Sequence, residues 1–229
     1  MPDGIAAAAS ALRYYERRQE IVANNLANAS TDGFKAERVF ARLIEENHPA
    51  PDTATDLRRG TFKETHNALD IATDSDGYFV VNTKQGERLS RGGTLQLSPD
   101  GVVTDLEGHA VLGEKGVIRV GPGAITIDQD GLVAVDGEAI DRLRMESVPP
   151  GTLLQHDAGT LFVPGATRQA LALGTRAVKQ GFVEESNVNT VSTMVDMISV
   201  QRAYANAAKA LTTLDGIRAT ISNELGKIG

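Results

Sequence analysis

The chain has 229 residues, 41% of them hydrophobic, with a net charge of −7 and no cysteine. That size and apolar content allow one or two globular domains with a sizeable core. The acidity argues against nucleic acid as a partner, since phosphates are bound by basic surfaces, and the missing thiols exclude disulfides, thiolate catalysis and cysteine-ligated metals.

Charge and glycine divide the chain into three. Residues 1–30 hold three basic and three acidic groups, residues 181–229 hold four and five, and the middle carries nearly all of the negative excess. One glycine falls in residues 1–30, eighteen in 31–180 and four in 181–229, and proline is absent from the last stretch. Glycine and proline punctuate turns and break helices, so the ends read as helical and the middle as turn-rich β structure. No run of 18 apolar residues exists, so no membrane insertion is expected. The N-terminus lacks the basic start of a signal peptide, and Arg13, Arg17 and Arg18 follow the alanine-rich Ile5–Leu12 stretch. The chain is expected to stay in the cytosol or to leave it by a route without a cleaved signal.

The first element is a helix over roughly residues 4–28, about 36 Å long. Ile5, Ala8, Leu12, Tyr15, Gln19, Val22 and Leu26 recur at alternating spacings of three and four, the seam of a coiled coil. Thr31-Asp32-Gly33 supplies a stop. Residues 45–60, with Pro49 and Pro51, read as an exposed connection. Asp-Gly then occurs at 76–77, 100–101, 130–131 and 136–137. Between alternating apolar residues this dipeptide signals hairpins, because glycine tolerates the positive φ of primed turns. Residues 94–97 are expected to pair with 102–103, and 124–127 with 132–135. The last element is a helix from about 188 to 225, roughly 57 Å long, with Ser186 or Asn187 as its cap. Its stripe runs through Met197, Val200, Tyr204, Ala207, Leu211, Leu214, Arg218, Ile221, Leu225 and Ile228. Within it, Arg218 either pairs with an acid on a neighbouring helix or snorkels outward.

The expected fold class is therefore α+β, with long N- and C-terminal helices forming a coiled-coil bundle and a central antiparallel β-rich domain. The boundaries are 1–35 for the first helix of the core domain, 36–67 for a connecting segment, 68–180 for the β-rich domain and 181–229 for the C-terminal helix. A seam this narrow and long favours burial by other helices over burial by a sheet. One chain could satisfy it with its own helical hairpin; apolar surface left over would require further copies.

No chemistry beyond packing is indicated. His48, His66, His109 and His156 form no metal-binding pair and no triad signature, and neither a nucleophile elbow nor a phosphate-cradling loop is present. Asp74-Ser75-Asp76-Gly77 and Asp128-Gln129-Asp130-Gly131 begin like calcium loops but lack the later ligands. Catalytic residues, metal ligands and cofactors are expected to be absent.

The segment from Ile21 to Lys35, with Asn24-Asn25-Leu26-Ala27-Asn28 and then Ser30-Thr31-Asp32-Gly33-Phe34-Lys35, resembles the N-terminal signature of the flagellar rod and hook axial proteins. Leu69-Asp70-Ile71-Ala72 and Asp76-Gly77-Tyr78-Phe79-Val80-Val81 resemble the family's first β element. Gly181-Phe182-Val183-Glu184-Glu185-Ser186-Asn187-Val188-Asn189, Met197–Tyr204 and Thr212–Asp215 resemble the approach to the C-terminal helix and the helix itself. The shortness of the β region resembles rod rather than hook members, and residues 111–120 resemble the proximal-rod type more than the distal. Ser192, Thr193 and Ala205 depart from the distal pattern.

The resemblance implies a structural rod subunit of the bacterial flagellar basal body. Such a subunit leaves through the flagellar type III export apparatus, polymerises with copies of itself and related rod proteins across the periplasm, and passes torque from motor to hook. It also implies an assembly interface of Ile5, Leu12, Tyr15, Val22, Asn25, Leu26 and Asn28 with Met197, Gln201, Tyr204, Leu211, Leu214, Ile221 and Leu225. Asn24, Asn25 and Asn28 would either fix register between helices or cap the helix end. The alternative is a secreted envelope-binding module whose β domain engages peptidoglycan or another envelope partner.

Overall fold

The computed structural model describes residues 2–44, 48–149, 151–157, 159–165 and 167–225; the side chains at 2–3, 41–44, 48–51, 222 and 224–225 are not described. In chain order the elements are α1 (Pro2–Ala27), β1 (Glu37–Ile44), β2 (His48–Thr55), β3 (Phe62–Glu64), β4 (Asp70–Thr73), β5 (Gly77–Thr83), β6 (Gly86–Ser90), β7 (Gly92–Leu97), β8 (Val103–Asp105), β9 (Ala110–Gly113), β10 (Gly116–Val117), β11 (Ile125–Ile127), β12 (Leu132–Val135), β13 (Glu138–Arg142), β14 (Met145–Ser147), β15 (Gln155–His156), β16 (Phe162–Val163), β17 (Gln169–Ala170), β18 (Val178–Gln180), β19 (Phe182–Glu184) and α2 (Thr190–Leu225). Helical ends and an antiparallel β-rich middle make the fold α+β. The chain falls into two compact units. One comprises residues 1–29, 37–56 and 188–229; the other comprises 30–36 and 57–187.

In the helical unit, α1 packs along α2 and against β1 and β2. Gly4 in the first turn of α1 lies beside Leu214, where an added Cβ would stand 3.8 Å from its Cδ1. Leu214 is in the later part of α2, so broad contact between the helices requires them to run antiparallel. The cap of α2 is Asn189, not Ser186 or Asn187: its Oδ1 accepts the N–H of Ser192 at 3.0 Å. That N–H is one of the orphan donors of a helix start. Within the stretch read as a connection, β1 and β2 pair antiparallel from Glu37↔Thr55 to Ile44↔His48.

The β unit is built on an antiparallel sheet whose main path runs β15-β16-β6-β5-β9-β8-β7-β4-β18. A three-stranded sheet, β11-β12-β13, and the pair β19-β3 complete it. Strand β5 is buried on both faces. Phe79 and Val81 join the larger core with Ile71, Leu95, Val111 and Met145, while Tyr78 and Val80 join a second core with Leu89, Leu112 and Phe162. Such a strand loses the apolar–polar alternation of a one-sided strand, which accounts for the unbroken Tyr78-Phe79-Val80-Val81 run.

Of the four Asp-Gly pairs within residues 68–180, three turn hairpins. Gly101 lies between β7 and β8, Gly131 between β11 and β12, and Asp136-Gly137 between β12 and β13. Asp136 and Gly137 have φ of 50° and 86°, the type I′ geometry that strand twist favours. No heavy atom lies within 4 Å of a Cβ placed at Gly137, so Gly137→Ala meets only the backbone cost of a left-handed alanine. It should destabilise the β unit by about 1 kcal/mol, read as a small drop in melting temperature with native spectra retained.

The fourth pair is not a hairpin turn. Strand β4 pairs with β7 and β18, not with β5. Gly77 sits in a crowded place instead: a Cβ there would come within 2.5 Å of Leu171 Cδ2, and that side chain would have to move.

Candidate assembly surface

The helical unit carries the residues expected at an interface, and they divide by exposure. Val22 and Asn25 are buried, as are Ile21, next to Val22, and Val200 in the stripe of α2. Ile5, Leu12, Tyr15, Leu26, Asn28, Met197, Leu211 and Leu214 are half-buried; Gln201, Tyr204 and Ile221 are exposed. The side chain of Leu225, and all of Ile228, lie outside the described residues. Arg218 is exposed.

A second apolar face of α2 escaped the heptad reading. Val191, Met194, Val195 and Ile198 are 73%, 49%, 58% and 52% exposed. Their spacings of three, one and three put them on one side of the helix. Together with Ile217 and Ile221, also exposed, they leave α2 apolar on more sides than α1 covers. A helix of that kind is normally enclosed.

Asn25 does not reach for a neighbouring helix. Its Nδ2 donates to the carbonyl of Glu37 at 2.8 Å and its Oδ1 accepts the Glu37 N–H at 2.9 Å. The amide thus serves as a one-residue strand beside β1. Asn28 donates its Nδ2 to the carbonyl of Asn24 at 3.0 Å, closing the end of α1. Of the two readings of the asparagine motif, these bonds match local capping for Asn28, and for Asn25 a bond to a strand that neither reading included.

The β unit contains a buried ionic clamp that the sequence reading did not pick out. Lys35 and Glu184 form an ion pair with both side chains 1% exposed. Lys35 Nζ also donates to the Arg58 carbonyl at 2.8 Å. Glu184 further accepts from the Gly60 N–H at 2.9 Å and from Arg91 Nε at 3.1 Å. The rest of the Arg91 guanidinium donates to the carbonyls of Thr73, Ser75 and Gly77. Desolvation pushes the Glu184 carboxyl up, but the Arg91 charge, the hydrogen bond and charge of Lys35 and the Gly60 N–H outweigh it and hold it below the ordinary range.

Around the clamp, Gly33 N–H donates to the Glu184 carbonyl, and the Ala36 N–H donates to Asn187 Oδ1 at 2.8 Å. Phe34 is buried and stacks on His156 at 5.4 Å between centroids. Residues 33–36 and 184–187, the two ends of the β unit's chain, are thereby fastened to each other.

The Asp105–His109 pair is part of a turn. Asp105 Oδ1 accepts the N–H groups of Glu107 and His109, and Oδ2 pairs with His109 Nδ1 at 2.9 Å. Among the described residues no three His, Asp or Glu side chains stand close enough to share a metal ion. No described helix is long and apolar enough to cross a membrane.

The comparisons with known proteins agree with this division of the chain. Residues 5–35 match the family "Flagella basal body rod protein" and residues 179–224 match "Flagellar basal body rod FlgEFG protein C-terminal". These segments hold α1 with the Gly33–Lys35 side of the clamp, and Glu184 with nearly all of α2. They define the class as a structural component of the flagellar axis.

Relatives run the length of the chain. It is 31% identical to the flagellar basal-body rod protein FlgF of Mesorhizobium japonicum over 91% of both chains, and 33% identical to FlgF of Escherichia coli K12 over 86% of this chain and 88% of that one. The flagellar basal-body rod protein FlgG of Bacillus subtilis is 27% identical over 93% and 96%. The chain belongs to the flagellar basal-body rod protein family, of FlgF/FlgG type, and its place is the flagellar basal body.

Proposed function

We propose that this chain is a FlgF-type rod subunit that polymerises through its terminal helices, with no catalytic step of its own. The observation that carries the reading is the uncovered apolar face of α2, Val191, Met194, Val195 and Ile198. A surface of that kind on a soluble protein marks an interaction site. In this reading α1 and α2 form a coiled-coil bundle that is completed by helices of neighbouring copies and related rod proteins. Ile5, Leu12, Tyr15, Leu26, Met197, Tyr204, Leu211, Leu214, Ile221 and Leu225 contribute the seam; Val22 and Asn25 support it from inside. Head-to-tail contacts that do not close into a ring generate a helical filament, and a filament of clamped β units and bundled helices can carry torque. The higher identities to FlgF than to FlgG support the proximal type. Passage through the flagellar type III export apparatus belongs to the same reading.

Removal of residues 190–229 tests it. Electron microscopy of the intact chain at high concentration should show short tubes, and the truncated chain none, with its β unit still melting cooperatively. Tubes from the truncated chain would overturn the reading. Retained binding of the truncated chain to peptidoglycan sacculi, without tubes from either chain, would favour an envelope-binding module.

A further inference from the structure

Four chain ends bound the β unit: it begins at Ser30, leaves at Ala36, resumes at Leu57 and stops at Asn187. The side chain of Asn187 ties the last of these ends to the two in the middle. By spacing, Asn187 is a candidate cap for α2, but Asn189 takes that part. The amide of Asn187 turns to other backbone instead. Its Oδ1 accepts the Ala36 N–H at 2.8 Å, and its Nδ2 donates to the Arg58 carbonyl at 2.8 Å. Its backbone N–H donates to the Phe34 carbonyl at 3.4 Å. The Arg58 carbonyl accepts a second donor, Lys35 Nζ, also at 2.8 Å, which the two lone pairs of its oxygen allow.

These bonds differ from the clamp in what they hold. Lys35, Arg91 and Glu184 are charged and buried, and removing one partner of such a set strands the others. Asn187 is neutral and half-buried, so water can replace its partners, and the net worth of each such bond is small. What the amide does fix is spacing. Residue 36 leads directly into β1, residues 56–58 follow β2, and residues 188–189 lead into α2.

We propose that Asn187 is a positioning residue for assembly, holding the chain that enters α2 at a fixed spacing from the chain that enters β1 and the chain that leaves β2. The proposal rests on the reading that the terminal helices polymerise. Association must remove whatever motion the joining segments retain, and motion removed beforehand lowers that cost. One amide bonded to two other stretches of backbone restrains all three together. Asn187 acts from inside the β unit and needs no contact with a neighbouring subunit.

Asn187→Ala and the near-isosteric Asn187→Leu remove both side-chain bonds in the full-length chain. Either should raise the concentration at which tubes form about tenfold. The β unit of each should melt within a few degrees of the parent. Gly137→Ala, which destabilises a hairpin elsewhere in the β unit, should form tubes at the parental concentration, so that stability alone does not move the readout. Tubes from both Asn187 variants at the parental concentration would overturn the inference and leave the polymerisation reading standing. No tubes from the parent chain would overturn both. A β unit that melts as low as that of Glu184→Ala would make Asn187 a residue of the fold, and an equal delay in Gly137→Ala would assign the effect to stability; either result overturns the assignment.

Discussion

Glu184→Ala should lower the stability of the β unit by about 3–5 kcal/mol, because it strands two buried cations whose shared anion has gone. For a body of this size that is a fall in melting temperature of roughly 10 °C. The carbonyls of Thr73, Ser75 and Gly77 still receive Arg91, and that of Arg58 still receives Lys35, but carbonyls do not neutralise charge. The pair Lys35→Met with Glu184→Gln should cost less than the two single changes added together, since residues of one network are coupled.

Acid should act on the same group. Its carboxyl is held below the ordinary glutamate range in the folded protein. Its contribution is therefore complete above about pH 4.3, the unfolded value, and is lost as pH falls through the folded value. Melting temperatures measured from pH 6 down to pH 3 should fall more steeply for the parent chain than for Glu184→Gln. Parallel slopes would show that the carboxylate is not what acid attacks.

Val195→Asp with Ile198→Asp should abolish tube formation while leaving the melting of the β unit unchanged. Each side chain is worth about 1.5–3 kcal/mol when fully buried, and every 1.4 kcal/mol is tenfold in an equilibrium constant. Two charges placed in a closed helical seam should therefore raise the concentration needed for assembly by more than a hundredfold. Both positions are more than half exposed in the single chain, so the substitutions should leave its fold intact. Assembly at the parental concentration would remove this face from the interface.

What the sequence disclosed follows the range of the interactions concerned. The helices were legible because their stripes repeat over many turns. Three Asp-Gly turns were legible because a positive φ is a local demand. Gly77 was misread because its constraint comes from Leu171, far along the chain. Asn25 comes in through the resemblance, next to the seam residue Leu26, yet its partner lies twelve residues on, in a strand that a proline-bearing segment does not advertise. Three residues of the exposed face, Val191, Met194 and Val195, precede Met197, where the heptad stripe begins, and Ile198 lies off that stripe. Lys35 belongs to the N-terminal signature, but nothing near it in sequence points to Glu184.

That last separation bears on the order of events during folding. Lys35 and Glu184 are 149 positions apart, so fastening them confines a loop at an entropic cost of about 4 kcal/mol. A polypeptide emerging N-terminus first, from a ribosome or a narrow channel, cannot close that loop until about four-fifths of its length is free. The β unit stays unlatched for most of such a passage, and only α2 and its tail are still to come when the latch can shut.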